Sequence, residues 1–344
     1  MKAMADESDT AATWDYATEL VQVAAVWTEK KKGRGEDAPP TALSHRTGRG
    51  MLAVYDGVGG AGARSVGSTP DQQEVSGAFV ASRVAHFALE DWFVTSGEQR
   101  PITGSAGLDS VILAGLRGTG IAPGSKVIGT MVRHLPTTLA AIEYELTGGG
   151  LNLVARWAGD SRAYILDPAE GLHVVTRDDT GETDALNQLA NDPPMTNMIC
   201  ADRPFRINEF PLINVIQPPT VILCATDGFF HYVETPAHFE YVLLYTMNMA
   251  ASLHEWAARL AEYAQGSSAD DASLVIATFG YPSFLAMRPA FAQRRHALTE
   301  NYIDPLHKPG TRRKQRQQPA TRQSLWEEYR IGYEKLIRQR EAGR

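Results

Sequence analysis

Cysteine is almost absent: Cys200 and Cys224 are the only two in 344 residues, too few for a disulfide framework and not spaced as zinc ligands. A reducing cytoplasm is the expected compartment. No run of about 18 consecutive apolar residues occurs, so no membrane span is expected. Residues 1–16 are polar and acidic rather than a charged start followed by an apolar stretch, so no secretory leader is expected either. Internal repeats and low-complexity tracts are missing from the first 280 residues. His45, His86, His134, His173, His231, His238 and His254 are scattered without ligand spacing, as surface or core histidines are.

What is present is enough apolar material, 43% of the residues, for a sizeable core. The net charge of −7 conceals an asymmetry. Residues 281–344 carry 14 Lys and Arg against 6 Asp and Glu, leaving 19 basic and 34 acidic residues before them, so −15 precedes +8. The chain divides on that basis into an acidic domain, 1–280, and a basic extension, 281–344. An acidic domain is an unfavourable nucleic-acid binder and a natural holder of divalent cations.

Apolar runs at 20–27, 51–55, 221–225 and 273–279 predict strands, and 74–94 and 109–116 carry helical spacing. Between 138 and 166 the period becomes two, with Thr147-Gly148-Gly149-Gly150 at the turn, which predicts a β-hairpin whose return strand continues through 163–166. Thr235-Pro236, and Ser252 with Glu255, are helix starts, so two helices are expected over 236–265. The polar stretch 180–219 reads as a loop or small flap. Strands, then helices, then strands, with a hairpin, predict an α+β fold of two packed antiparallel sheets with helices outside.

Asp56, Asp227 and Asp270 each stand at the end of an apolar strand or just before one, among small residues. Strand ends converge, and carboxylates gathered there suit Mg²⁺ or Mn²⁺. The alternative for any single Asp-Gly pair is that it only makes a turn. The joint pattern decides between them. Gly35-Glu36-Asp37-Ala38, Asp56-Gly57-Val58-Gly59-Gly60, Pro136-Thr137-Thr138-Leu139, Gly159-Asp160-Ser161-Arg162-Ala163-Tyr164, Thr176-Arg177-Asp178, Thr226-Asp227-Gly228 and Asp270-Asp271-Ala272-Ser273 occur in that order. In these motifs the chain resembles the PP2C (PPM) family of metal-dependent serine/threonine protein phosphatases, over roughly residues 21–280.

The resemblance implies an αββα sandwich, two antiparallel sheets flanked by helices, with 281–344 as a C-terminal helical extension. It implies two Mn²⁺ or Mg²⁺ ions bridged by Asp56, with the Gly57 carbonyl on one and Asp227 and Asp270 on the other. Asp160 would help hold a third, weaker ion, and Glu36 and Asp37 would orient metal-bound waters. Asp56, Asp227 and Asp270 are thereby the catalytic set, and the reaction is attack of a bridging hydroxide on a phosphoserine or phosphothreonine of a protein substrate. Ser161 and Arg162 brace a strand end. Val58 replaces the histidine of many eukaryotic relatives, which makes the chain look bacterial. Lys32 occupies the position of the phosphate-contacting arginine, with Arg34 as the nearby substitute; a lysine offers a point charge rather than a fork. The competing reading is a catalytically weak PP2C-like scaffold that acts through its extension.

In that extension, Leu325, Trp326, Tyr329, Tyr333, Leu336 and Ile337 fall on one helical face behind the basic run 312–316. The stripe either docks on the acidic domain or binds a partner such as a kinase or an assembly subunit.

Overall fold

The two prolines of Ala38–Ser44 and the one in Asn208–Ile216 do not prevent these segments from being strands, because both lie at the edges of a sheet, where a missing N–H costs nothing. The computed structural model describes residues 10–69, 72–96, 100–104, 107–123, 132–148, 150–191, 193–307 and 318–342. The basic run 312–316, Gly149 of the hairpin turn and residues 1–9 lie outside them.

Along these residues the chain forms β1 (Ala11–Ala17), β2 (Gln22–Thr28), β3 (Ala38–Ser44) and β4 (Arg49–Tyr55), then the turn α1 (Gly59–Gly62). A small pair, β5 (Ser65–Ser68) and β6 (Glu74–Ser76), leads into helices α2 (Gly77–Ser96) and α3 (Leu108–Gly118). Next come β7 (Leu139–Thr147), β8 (Gly150–Ala158), β9 (Arg162–Asp167), β10 (Gly171–Val174), α4 (Ala185–Ala190), β11 (Asn208–Ile216) and β12 (Thr220–Ala225). The short α5 (Asp227–Phe230) precedes α6 (Pro236–Met249), α7 (Leu253–Ser267) and β13 (Ala272–Phe279). Helices α8 (Phe284–Ala290), α9 (Ala292–Leu298), α10 (Asp304–His307), α11 (Gln318–Tyr333) and α12 (Lys335–Ala342) follow.

One antiparallel sheet has the order β1-β2-β13-β12-β9-β10 and the other β11-β8-β7-β4-β3. They face each other through β4, β7, β12 and β13. Every residue of β4, β12 and β13 is buried, which explains their continuous apolar runs. Helices α2 and α3 cover the five-stranded sheet, closing a core that includes Ala85, Leu89, Ile112 and Leu139. Helices α6 and α7 cover the six-stranded sheet, with Trp256, Leu243 and Phe239 in the main core. Two antiparallel sheets flanked by helices, as expected, make the fold. The expected caps form: Thr235 accepts from the His238 amide, and Ser252 accepts from the Glu255 amide while Glu255 accepts from Ala251.

Two expectations change. The return strand of the hairpin does not continue through 163–166. Strand β8 stays in the five-stranded sheet, Gly159 turns the chain at φ +100°, and β9 joins the other sheet. The conformation is one that only glycine adopts without strain. The stretch 180–219 is not a plain loop, because it contains α4 and the edge strand β11, which pairs with β8.

The apolar stripe of the extension is buried. Trp326, Tyr329, Tyr333, Leu336 and Ile337 belong to the main hydrophobic core, and α11 packs on β10 and α6. Its polar atoms are matched too: Tyr329 donates its hydroxyl to Glu240 (2.7 Å), a carboxylate also held by Arg294.

A second polar knot lies under α2. Glu143 of β7 is fully buried and accepts from Arg49 of β4, Arg156 of β8 and Arg100. Arg100 and Arg156 also lie over the Trp92 ring, at 4.0 and 5.4 Å.

Candidate functional site

Both sheets deliver a strand end to one place. Asp56 follows β4, Asp160 lies in the turn between β8 and β9, Asp227 follows β12, and Asp270 precedes β13. Glu36 and Asp37 come just before β3. Glycine is what lets these segments meet. A Cβ on Gly57 would lie 2.4 Å from the carbonyl oxygen of Glu36, and one on Gly228 would lie 2.0 Å from that of Asp271. The Asp-Gly pairs are therefore points of close backbone contact between acidic motifs, more than simple turns. Gly228→Ala is expected to destabilise the fold by about 1–3 kcal/mol, the usual cost of overpacking, read as a lower urea midpoint at unchanged slope; a midpoint equal to wild type would contradict the contact.

The segments are tied by hydrogen bonds. Thr137 Oγ1 and the Thr138 amide both donate to the Asp56 carbonyl, at 2.6 and 2.8 Å. Thr138 Oγ1 and Ser161 Oγ are 2.6 Å apart, so Ser161 braces the turn as expected. Asp37 is buried, and its Oδ2 accepts from Thr226 Oγ1 (3.0 Å) and Ser273 Oγ (2.8 Å). Glu36 Oε1 accepts a short hydrogen bond from Ser76.

Electrostatics are dominated by crowded carboxylates. Burial first, then the carboxylates of Asp227, Asp37, Asp160 and Asp270, hold the Asp56 carboxyl well above the usual range. Burial and then Asp227 and Asp178 raise Asp160, and burial and then Asp271 raise Asp37. Oδ1 of Asp160 is buried without a hydrogen-bond partner. Asp270 is exposed at the rim.

Among the described residues, no group of three or more His, Cys, Asp or Glu side chains is arranged to hold a metal ion. Asp37 and Glu36 are turned to the hydroxyl donors Thr226, Ser273 and Ser76. The donor chemistry nevertheless fits a hard divalent cation. The cluster is all oxygen, it is crowded with like charge, and one buried carboxylate oxygen is orphaned.

Beside Glu36 a cleft of about 290 Å³ is lined by Lys31, Arg34, Glu36, Glu74, Ser76 and Phe79. Arg34 thus borders Glu36, together with Lys31, while Lys32 is exposed and does not line this cleft. Neither cysteine offers a nucleophile. Burial pushes the Cys224 thiol up, and Cys200 likewise.

Three residues hold the site's segments in place without having been assigned a role in it. Asp271 accepts from the backbone amides of Lys30 (2.8 Å) and Glu36 (2.6 Å), fastening the Glu36-Asp37 segment to β13. Arg83 of α2 donates to the carbonyls of Gly35 (3.2 Å) and Glu36 (3.4 Å) and lies 3.4 Å over the Phe79 ring; burial draws its pKa down to about 10. Asp179 accepts from the Gly159 amide and from Asn197 and Asn208. Asp179 directly follows the Thr176-Arg177-Asp178 motif, and Asp271 belongs to Asp270-Asp271-Ala272-Ser273. Only Arg83 left no signal, being one arginine on a helix.

No family model matches the chain, and no curated protein matches it by sequence. Solved structures do. The Mycobacterium tuberculosis serine/threonine phosphatase PstP/Ppp is 20% identical, covering 76% of this chain and 100% of that chain, with a TM-score of 0.53. The PPM Ser-Thr phosphatase MsPP from Mycobacterium smegmatis, in complex with cacodylate, is 15% identical over 76% of this chain and 100% of that chain, with a TM-score of 0.51. The S. agalactiae serine/threonine phosphatase is 12% identical over 75% and 99%, with a TM-score of 0.50. At these identities the likeness is one of architecture, and this chain has the fold of bacterial PPM, or PP2C-type, serine/threonine phosphatases.

Proposed function

We propose that this protein is a phosphoprotein phosphatase that hydrolyses phosphoserine and phosphothreonine with Mn²⁺ or Mg²⁺. The observation that carries the reading is the convergence of the half-buried Asp56, Asp160 and Asp227 from both sheets, with an orphaned carboxylate oxygen of Asp160 among them. Asp56, Asp227, Asp270 and the Gly57 carbonyl would hold two ions, and Asp160 a third. When bound, such ions acidify water and neutralise phosphoryl oxygens. Asp37, fixed by Thr226 and Ser273, and Glu36, fixed by Ser76, would orient water behind that centre. Asp271 and Arg83 keep the Glu36 segment in place. Arg34, with Lys31 or Lys32, would receive the phosphoryl group as cations on the cleft side. No helix among the described residues is long and apolar enough to cross a membrane, and phosphoproteins of the cytoplasm are the substrates this reading favours.

The test is hydrolysis of a phosphothreonine peptide by the full chain with Mn²⁺ or Mg²⁺. Turnover is expected to vanish with a chelator, return on re-addition of the ion, and be lost in Asp227→Asn. Turnover indifferent to chelator would remove the reading. Calorimetry showing no Mn²⁺ binding would favour instead a PP2C-like scaffold that works through residues 281–344.

A further inference from the structure

Trp326 and Arg330 of the C-terminal helix α11 reach into the segment 178–188, which borders the candidate site, and Tyr333 meets Arg162, which holds that segment. Trp326 donates its indole N–H to Asp184 Oδ2 (3.0 Å), and Arg330 reaches the same oxygen at 2.8 Å. The other oxygen of Asp184 caps α4, accepting from the amides of Leu186 and Asn187. The Tyr333 hydroxyl lies 3.5 Å from Arg162, which pairs with Asp178 (2.7 Å) and donates to Gln188 of α4 (2.7 Å). Arg162, Asp178 and Gln188 in turn share a cavity of about 20 Å³ with Asp160 and Asp227. That volume is about the room of one water.

Apolar burial alone would explain why α11 docks, but not why Trp326 and Arg330 both donate to Asp184 while the Tyr333 hydroxyl accepts from Arg162. Helix α4 has six residues, far too few to hold its place unaided. Ala185 and Leu186 anchor it to the core, and what grips Asp184 and Gln188 fixes its polar side. We propose that Trp326, Arg330 and Tyr333 are positioning residues, through which the C-terminal helix fixes the 178–188 segment and so the Asp160 side of the catalytic site. The kinetic part of this inference rests on the phosphatase reading; the conformational part does not.

The experiment uses the full chain with Trp326→Phe and Arg330→Met combined, which removes both donors to Asp184 while keeping most of the buried volume. Hydrogen exchange is followed at amides 182–191 and in β12 and β13, and hydrolysis of a small aryl phosphate is measured with Mn²⁺. Losing two charge-assisted bonds is expected to speed exchange in 182–191 about tenfold or more, with β12 and β13 unchanged. The kcat is expected to fall about tenfold with KM nearly constant, the mark of a misplaced site rather than a lost substrate contact, and Arg330→Lys should recover part of it. Should β12 and β13 also open, Tyr333→Phe and Arg330→Met, taken singly, carry the same comparison. Unchanged exchange at 182–191 would overturn the clamp, and faster exchange with unaltered kcat would overturn its role in positioning. A wild-type protein inactive on every phosphomonoester would defeat the phosphatase reading instead, leaving the exchange result to decide the clamp.

Discussion

Asp56→Asn is expected to abolish turnover and yet to melt at a higher temperature than wild type in metal-free buffer near pH 8. Loss of the residue proposed to bridge both ions removes several kcal/mol of transition-state stabilisation, so activity should drop by about 10³-fold or more. Stability moves the other way. Partial burial, and then the carboxylates of Asp227, Asp37, Asp160 and Asp270, hold the Asp56 carboxyl well above the usual carboxylate range. A carboxylate whose folded pKa is raised contributes stability that is complete below the ordinary carboxylate value and is lost as pH climbs through the raised one. Wild type without ions should therefore lose stability from about pH 4 upward, and the Asn variant should lose less. Mn²⁺ should restore the wild type most at the alkaline end, where the carboxylates are charged, and the variant hardly at all. Melting temperatures across pH, with and without the ion, check both halves. A variant less stable than wild type in metal-free buffer at pH 8 would show that Asp56 holds the fold together rather than straining it.

Glu143→Gln carries the largest expected structural cost. The carboxylate is fully buried and faces Arg49, Arg100 and Arg156, with nitrogen–oxygen distances of 2.8 Å to Arg100 and 2.7 Å to Arg156. Glutamine preserves the shape and removes the negative charge that the three guanidinium groups share, leaving only Glu209, 2.8 Å from Arg156. Breaking a buried pair by removing one partner costs about 3–5 kcal/mol, a large part of the roughly 5–15 kcal/mol that separates folded from unfolded domains. Urea unfolding should show a loss in that range, and a change below about 1 kcal/mol would mean that solvent reaches the knot. Catalytic parameters of the folded fraction should be unaffected, because Glu143 faces α2 and not the acidic strand ends.

The contrast between these two clusters explains what could be read from sequence. The acidic motifs were legible because most of them sit beside a glycine or an apolar run, and both signals have local causes: close backbone contact at Gly57 and Gly228, and double-sided burial of β4, β12 and β13. The helix starts at Thr235 and Ser252 were legible for the same reason, since a cap is made within four residues. Glu143 with its arginines was invisible. Its partners come from β4, β8 and the segment after α2, and nothing in the local pattern of β7 distinguishes it from an exposed alternating charge. The edge strands β3 and β11 were not predicted; they contain Pro39, Pro40 and Pro211, and whether a proline is tolerated in a strand depends on sheet position, a tertiary property. The switch of β9 to the opposite sheet turns at Gly159, a tertiary choice that a single glycine does not announce. Asp271, which fastens Glu36, shows its role only once residues 235 positions apart are neighbours.

Strand β13 lies between β2 and β12, and Thr28 donates its hydroxyl to the Ala272 carbonyl across 244 residues of chain. On a ribosome adding roughly 5–20 residues per second, β1 and β2 would wait about ten to fifty seconds for that neighbour. For that interval β2 offers a bare, apolar edge. Newly made chains are thus expected to be most vulnerable to mispairing before residue 279 emerges, and cold, slow translation should lengthen their dependence on chaperones.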